Sequence, residues 1–245
     1  MKHSIALIVG MFLAAFCLAG GEPLPKPFIE LKLDGTAENT GSGKISATIV
    51  RPTAVRWGEG REQGKALFLD NDLSNPKKRS IYTALTLPGR NGKFNPATPF
   101  TISMWIMPDP AAASRYCALF STYSGDFGKG IRMLLYNGSY WLEYGAGKKG
   151  TTGHLMAWRG KFPIKLGTWN HIAATYDGET CRIYLNGMYC SGKKVKLVPG
   201  SDITIGAFLN GYAQPYRGGL SDIRIYKQAL TGLQILSIAR GDGLK

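Results

Sequence analysis

Cysteine, histidine and acidic residues are all scarce in this chain, and each shortage removes a class of function. Four cysteines and three histidines occur in 245 residues. No Cys-x-x-Cys pair or Cys/His cluster is among them, so the spacing of a structural zinc site is missing. Sixteen Asp and Glu stand against thirty Lys and Arg, which leaves few places for the paired carboxylates of glycoside hydrolysis. There is no nucleophile elbow and no phosphate-binding glycine loop. No nucleic-acid motif sharpens the positive charge into a specific nucleic-acid partner. Past the first twenty residues no apolar run approaches the roughly 20 residues of a membrane span.

What is present begins with a leader. Lys2 is followed by an apolar run over residues 5–18 and by small residues at Cys17 and Ala19. This pattern reads as a secretory signal peptide over residues 1–19 rather than a membrane anchor. Cys17 follows the bulky Phe16, which argues against a lipoprotein. The expected location is therefore secreted, periplasmic or at the cell surface. Residues 20–27 form a proline-stiffened linker, and residues 28–242 are expected to be one domain.

Removal of Lys2 lowers the formal charge from +14 to +13. A secreted chain this basic is drawn to anionic polymers and surfaces. The same residues, scattered as Lys77-Lys78-Arg79, Lys148-Lys149 and Lys193-Lys194, could equally serve solubility alone. Cys117, Cys181 and Cys190 survive export, an odd count. If Asn186-Gly187 closes a two-residue hairpin, Leu185 faces Met188 and Ile183 faces Cys190. Cys181 and Cys190 are then diagonal neighbours, the candidate disulfide, about 7–8 Å apart unless a bulge shifts the register. Buried free thiols are the alternative.

Thirty-two glycines, thirteen prolines and many short alternating runs favour an all-β sandwich. The most distinctive stretch is residues 168–187. There Ile172, Ala174 and Tyr176 alternate with His171, Ala173 and Thr175 before Asp177-Gly178 breaks the run. Ile183 and Leu185 alternate in the next strand, and Asn186-Gly187 supplies the positive-φ pair of a type I′ turn. Further strands are expected over residues 28–33, 65–70, 80–85, 100–107, 117–122, 132–136, 140–144, 203–206 and 219–226. One helix is expected after Thr231, whose spacing to Gln234 is that of a capping box. Leu233, Leu236 and Ile238 would form its apolar side and Gly241 its end.

Gly64-Lys-Ala-Leu-Phe-Leu-Asp70, Phe100-Thr-Ile-Ser-Met-Trp-Ile106, Gly167-Thr-Trp-Asn-His-Ile-Ala173, Ile183-Tyr-Leu-Asn-Gly187, Ile203-Thr-Ile-Gly206 and Gly218-Gly-Leu-Ser-Asp-Ile-Arg-Ile-Tyr226 occur in this order. Together they resemble the successive motifs of laminin-G-like domains of the concanavalin A-like lectin/glucanase superfamily. The resemblance implies a two-sheet antiparallel jelly roll. It also implies a structural calcium ion held by Asp34 and Asp222, to which Asn39 and Thr40 could add oxygens.

Function is less legible than fold. Glu30 and Asp34 have the i,i+4 spacing that puts two carboxylates on one strand face, but no third acid lies between them. Glu143 stands alone on its strand, His171 reads as structural, and His154 has no neighbouring acid or nucleophile. The expectation is a non-catalytic, lectin-like module that stacks sugar rings on exposed aromatics. Tyr123 and Tyr144 near the middle hairpins and Tyr212 and Tyr216 in the 210–217 loop are the candidate ligand-binding residues. Trp141 and Trp158 are further candidates, although each reads better as core. A protein-binding adhesion module at the cell surface is the alternative reading, so the expected partner is a glycan or a cell-surface protein.

Overall fold

A computed structural model describes residues 23–74, 82–89, 94–113, 115–123 and 128–241. The leader at 1–19, the start of the linker, the run Lys77-Lys78-Arg79, the beginning of the expected 80–85 strand and residue 242 lie outside the described residues. Fifteen strands and one α-helix follow in order. They are β1 (Ile29–Leu31), β2 (Thr48–Val50), β3 (Val55–Glu59), β4 (Lys65–Asp70), β5 (Ala84–Leu87), β6 (Phe100–Pro108), β7 (Cys117–Ser121) and β8 (Ile131–Tyr136). After these come β9 (Ser139–Gly145), β10 (Thr152–Ala157), β11 (Asn170–Tyr176), β12 (Thr180–Leu185), β13 (Met188–Lys194), β14 (Ile203–Ile205), β15 (Arg217–Tyr226) and α1 (Gly232–Arg240).

All pairings are antiparallel and fall into two sheets. One runs β13-β12-β11-β6-β15-β4-β3, with β1 also on β15; the other runs β10-β9-β8-β7-β14-β5-β2. Alternation explains how they meet. Ile102, Met104 and Ile106 of β6 and Ile172 and Ala174 of β11 face Met133 and Leu135 of β8 and Tyr140 and Leu142 of β9 across one shared core. This is a jelly-roll sandwich, as the alternation and turn spacing lead one to expect. The near-continuous apolar reading of β6 has a cause too: its outward residues Thr101, Ser103 and Trp105 are also buried.

Arg61 of the turn between β3 and β4 stacks over Trp105 at 4.3 Å, Thr101 bonds the Gln228 carbonyl and the Leu230 N–H just ahead of α1, and Ser103 bonds His171. Ile235 and Ile238 of α1 pack on Ala173, Tyr184 and Tyr226, outward residues of the eight-stranded sheet, and Leu24 joins them from the other end of the domain. The capping box forms as its spacing indicates: Thr231 Oγ1 accepts from the Gln234 N–H at 3.2 Å, and Gln234 Oε1 accepts from the Thr231 N–H at 2.9 Å. Gly241 ends the helix at φ 78°. The expected apolar side is half corrected, because Ile235 is buried while Leu233 points to solvent.

The β12–β13 hairpin turns at Asn186 and Gly187, with φ of 50° and 80°. Leu185 pairs with Met188 as expected, but the register slips after Tyr184↔Tyr189, and Ile183 meets Ser191 instead of Cys190. Cys190 is the extra residue of a bulge, and Cys181 pairs with Lys193. Cys181 and Cys190 are therefore both free thiols, not the anticipated disulfide. Burial pushes their thiols up, to about 12 and about 11, so neither is a ready nucleophile.

Candidate functional site

The open face of the seven-stranded sheet carries a row of rings. In β8, Ile131, Met133 and Leu135 enter the core, so Arg132, Leu134 and Tyr136 point outward. Asn137-Gly138 closes the next hairpin so that Leu134 lies opposite Trp141 and Arg132 opposite Glu143. β10 then sets His154 beside Glu143 and Met156 beside Trp141. The outward rings follow one another: Tyr116 to Tyr136 at 5.2 Å, Tyr136 to Trp141 at 6.3 Å and Trp141 to His154 at 5.0 Å between centroids. Tyr136 is 38 % exposed, and Trp158, just past β10, is 63 % exposed. Trp141 Nε1 has no hydrogen-bond partner among the described residues.

A polar clamp lies beneath one end of this row. Arg132, 4 % exposed, pairs with Glu143 and reaches Gln214 of the 207–216 loop. Its guanidinium lies over Tyr116, Tyr123 and Phe208 at 5.1, 5.2 and 4.8 Å. The Tyr116 hydroxyl donates to Glu143. Burial, then that bond, holds this phenol well above its ordinary pKa and keeps it a donor. Glu143 is thus held between a cation and a phenol rather than poised opposite a second carboxylate.

Most of the tyrosines expected at the ligand lie elsewhere. Tyr216 is fully buried, its hydroxyl donating to the Gly219 carbonyl at 3.1 Å. Tyr123 is buried against Phe208, and Tyr144 is turned into the core on β9. Of the four, only Tyr212 offers its ring to solvent, 47 % exposed, with Arg51 stacked over it at 5.0 Å. Trp158, better read from sequence as core, is at the surface. Tyr116 and Tyr136 belong to the row although the sequence reading passed over them, and His154, read as having no neighbouring acid, lies on β10 opposite Glu143. The alternation on either side of Asn137-Gly138 was the available signal for Tyr136.

Asp34 and Asp222 do line one cleft on the opposite sheet. β15 passes its edge there from β4 to β1, through a register shift between Ser221 and Arg224 with Asp222 at φ 48°. The cleft does not fit a calcium ion. Asp222 Oδ1 accepts from Arg224 Nη2 at 3.1 Å, and Asp222 Oδ2 faces Arg61 Nη2 at 3.8 Å. Asp34 Oδ1 accepts from the Lys65 N–H at 2.7 Å. Asn39 Oδ1 is engaged by the Glu30 and Gly41 N–H groups, and Thr40 Oγ1 bonds Glu30. The cleft lining holds four carboxylates and four bases, so the acids are already neutralised by guanidinium and ammonium groups that a dication would have to approach. Glu30 and Asp34, the pair at i,i+4, are likewise held by Arg224 and the Lys65 backbone.

Nearby, His171 Nε2 lies 2.8 Å from Ser103 Oγ, but both residues are fully buried. Desolvation, then the Arg224 and Arg61 charges, pushes the imidazole down to about 3. It is a neutral, structural histidine under Trp105, 5.3 Å away between rings.

Two antiparallel sheets sharing one core define a jelly-roll sandwich. The chain belongs to the concanavalin A-like lectin/glucanases superfamily, whose laminin-G family model matches residues 79–236. Among solved structures, the binding domain of Paraclostridial Mosquitocidal Protein 1 is similar at 16% identity and a TM-score of 0.68, over 88% of this chain and 52% of that one. Domain 4 of AbnA, an extracellular arabinanase from Geobacillus stearothermophilus solved in complex with arabinotriose, is similar at 20% identity and a TM-score of 0.62, over 87% and 98%. The botulinum neurotoxin serotype D binding domain follows at 12% identity and a TM-score of 0.63, over 88% and 52%. The chain thus spans about half the length of the toxin binding domains it matches. At these identities the likeness concerns the fold. No curated protein matches the sequence. Among the described residues no helix is long and apolar enough to cross a membrane.

Proposed function

We propose that the mature chain is a secreted, non-catalytic, lectin-like module that binds carbohydrate on the open face of its seven-stranded sheet. The row Tyr116, Tyr136, Trp141 and His154 carries this reading. Consecutive outward rings, tilted 45–65° to one another, line the face with apolar edges and faces against which sugar rings can pack. Support comes also from the arabinanase domain of the same fold, solved with a bound oligosaccharide. The leader supports export. The engagement of Glu143, Glu30 and Asp34 by cations and donors supports a binding role over catalysis. A glycan array probed with the mature protein tests the reading. Trp141→Ala is expected to weaken the retained glycan about tenfold, since one aromatic contact contributes roughly 0.5–1.5 kcal/mol beyond its area. Retention untouched by Trp141→Ala and Tyr136→Ala would sink it.

A second reading, a protein-binding adhesion module, rests on a different surface. Met188 and Tyr189 are exposed on the edge strand β13, and Leu233 is exposed on α1. If glycan binding is the function, Met188→Ser and Tyr189→Ser leave glycan retention unchanged.

A further inference from the structure

We infer that the ligand of the ringed face is an extended acidic polysaccharide, bearing carboxylate or sulfate groups, that lies along the strands and is held by bases at both ends of the row. The inference rests on the carbohydrate reading above and adds the charge and minimum length of the ligand. Between residues 115 and 165, the segment that builds β7 to β10 and their turns, the sequence holds eight Lys and Arg against two acids. One of those acids, Glu143, is already neutralised by Arg132. Arg115, Lys129, Lys148, Lys149, Arg159 and Lys161 are exposed, and among the described residues no ion pair engages any of them. Among the described residues, the exposed charges at the two ends of these strands are of one sign, an arrangement that favours anionic ligands.

Their placement follows the strands. Ile131 pairs with Tyr144, and Gly145 pairs with Thr152, which brings Lys129 to the same end as the β9–β10 turn with Lys148 and Lys149. The Gly147 N–H donates to the Gly128 carbonyl at 2.9 Å and ties these turns together. At the other end Tyr136 pairs with Ser139 and Ala157 with Tyr140. Arg115 precedes β7 there, and Trp158, Arg159 and Lys161 leave β10 there. The rings lie between. Strands of this length separate the two basic ends by about 20 Å, more than twice the Debye length of about 8 Å at physiological ionic strength. Each end is therefore an independent anion contact. A single acidic sugar can engage one end only, whereas a chain that reaches both gains from the linkage of the two contacts.

Retention of the mature protein on polygalacturonate, its fully methyl-esterified form, dextran sulfate and single-stranded RNA tests this. The expected result is binding to the uronate or the sulfated polymer about tenfold or more tighter than to the ester, growing with oligomer length until both ends are reached. The uronate and sulfate arms identify which acidic group is preferred. Lys148→Glu with Lys149→Glu, and separately Arg159→Glu with Lys161→Glu, should each reduce binding to the long acidic polymer by about tenfold while leaving the shortest oligomer bound at the intact end. These turn residues are exposed, so folding is not at stake. Ester and acid bound equally, and both lost in Trp141→Ala, would overturn the acidic ligand while leaving the carbohydrate reading intact. No glycan retained at all would remove both. RNA preferred over every glycan, with Trp141→Ala without effect, would replace them with an electrostatic nucleic-acid surface.

Discussion

His171 shows how one buried side chain ties stability to pH. In the unfolded chain an imidazole takes up its proton near pH 6.5, while in the folded protein burial and the facing Arg224 and Arg61 delay this to about 3. The unfolded state thus binds the extra proton first as pH falls. The stability that depends on a neutral His171 is complete above about 6.5 and declines by up to about 1.4 kcal/mol per pH unit toward about 3. Glu30 adds to the loss lower down: burial raises its carboxyl, but the bonds from Thr40 and Arg224 outweigh this and leave it below its ordinary value. His171→Gln is expected to lower stability at neutral pH and to flatten its decline between about pH 6.5 and about pH 4.5, as read by chemical denaturation. An unchanged slope would mean that His171 already titrates normally. The tyrosines teach a related lesson. Asn210-Gly211 and Pro215 are turn formers that fit the expected 210–217 loop, yet Tyr216 turns inward to the Gly219 carbonyl while Tyr212 stays outside. Turn chemistry locates the backbone and does not fix which way a ring points.

At the scale of elements, strong alternation was legible and weak edges were not. β6 and β11, whose core-facing residues are Ile102, Met104, Ile106, Ile172 and Ala174, were readable from period two alone. β2 and β3 were missed because they are short strands at the ends of the sheets, half-exposed, with Gly58 inside β3. β10 was missed for a similar reason: Gly153 interrupts it, and only Leu155 and Ala157 enter the core. That omission hid the site, since without β10 there is no partner to set His154 beside Trp141. The helix was legible because its signal is local. Thr231 to Gln234 is a reciprocal pair of hydrogen bonds four residues long. Thr231→Ala is expected to cost about 1 kcal/mol and to lower the melting temperature by roughly 2–4 °C for a domain of this size. Thr231→Ser, which keeps the acceptor, should recover most of it.

The whole molecule bears on the question of metal. The six motifs in family order identified the sandwich, but the Asp34 and Asp222 positions they point to sit among Arg61, Arg224, Lys32 and Lys65. The charge balance of that cleft depends on residues far apart in sequence, and no single motif contains it. A ligand that binds only the folded state would raise the melting temperature, with the logarithm of its concentration once it exceeds Kd. The mature domain is therefore expected to unfold at the same temperature in excess EDTA and in excess calcium. A rise of several degrees with calcium would show that a dication displaces the guanidiniums. The same long-range dependence explains why the basic surface could not be read from composition: the bases around 129, 148 and 159 look scattered along the chain and gather only when β8, β9 and β10 pair.

Leu24, seated with Ile235 and Ile238 on the back of the eight-stranded sheet, brings the two ends of the domain to one pole. The ringed face looks out from the other sheet. Anything joined before residue 24 or after residue 241, whether a second module, a carrier or a solid support, would hang from the rear and leave the rings unobstructed. The domain has the geometry of a lamp on a stem, and a tag or immobilising group placed at either terminus should not shade the face it illuminates.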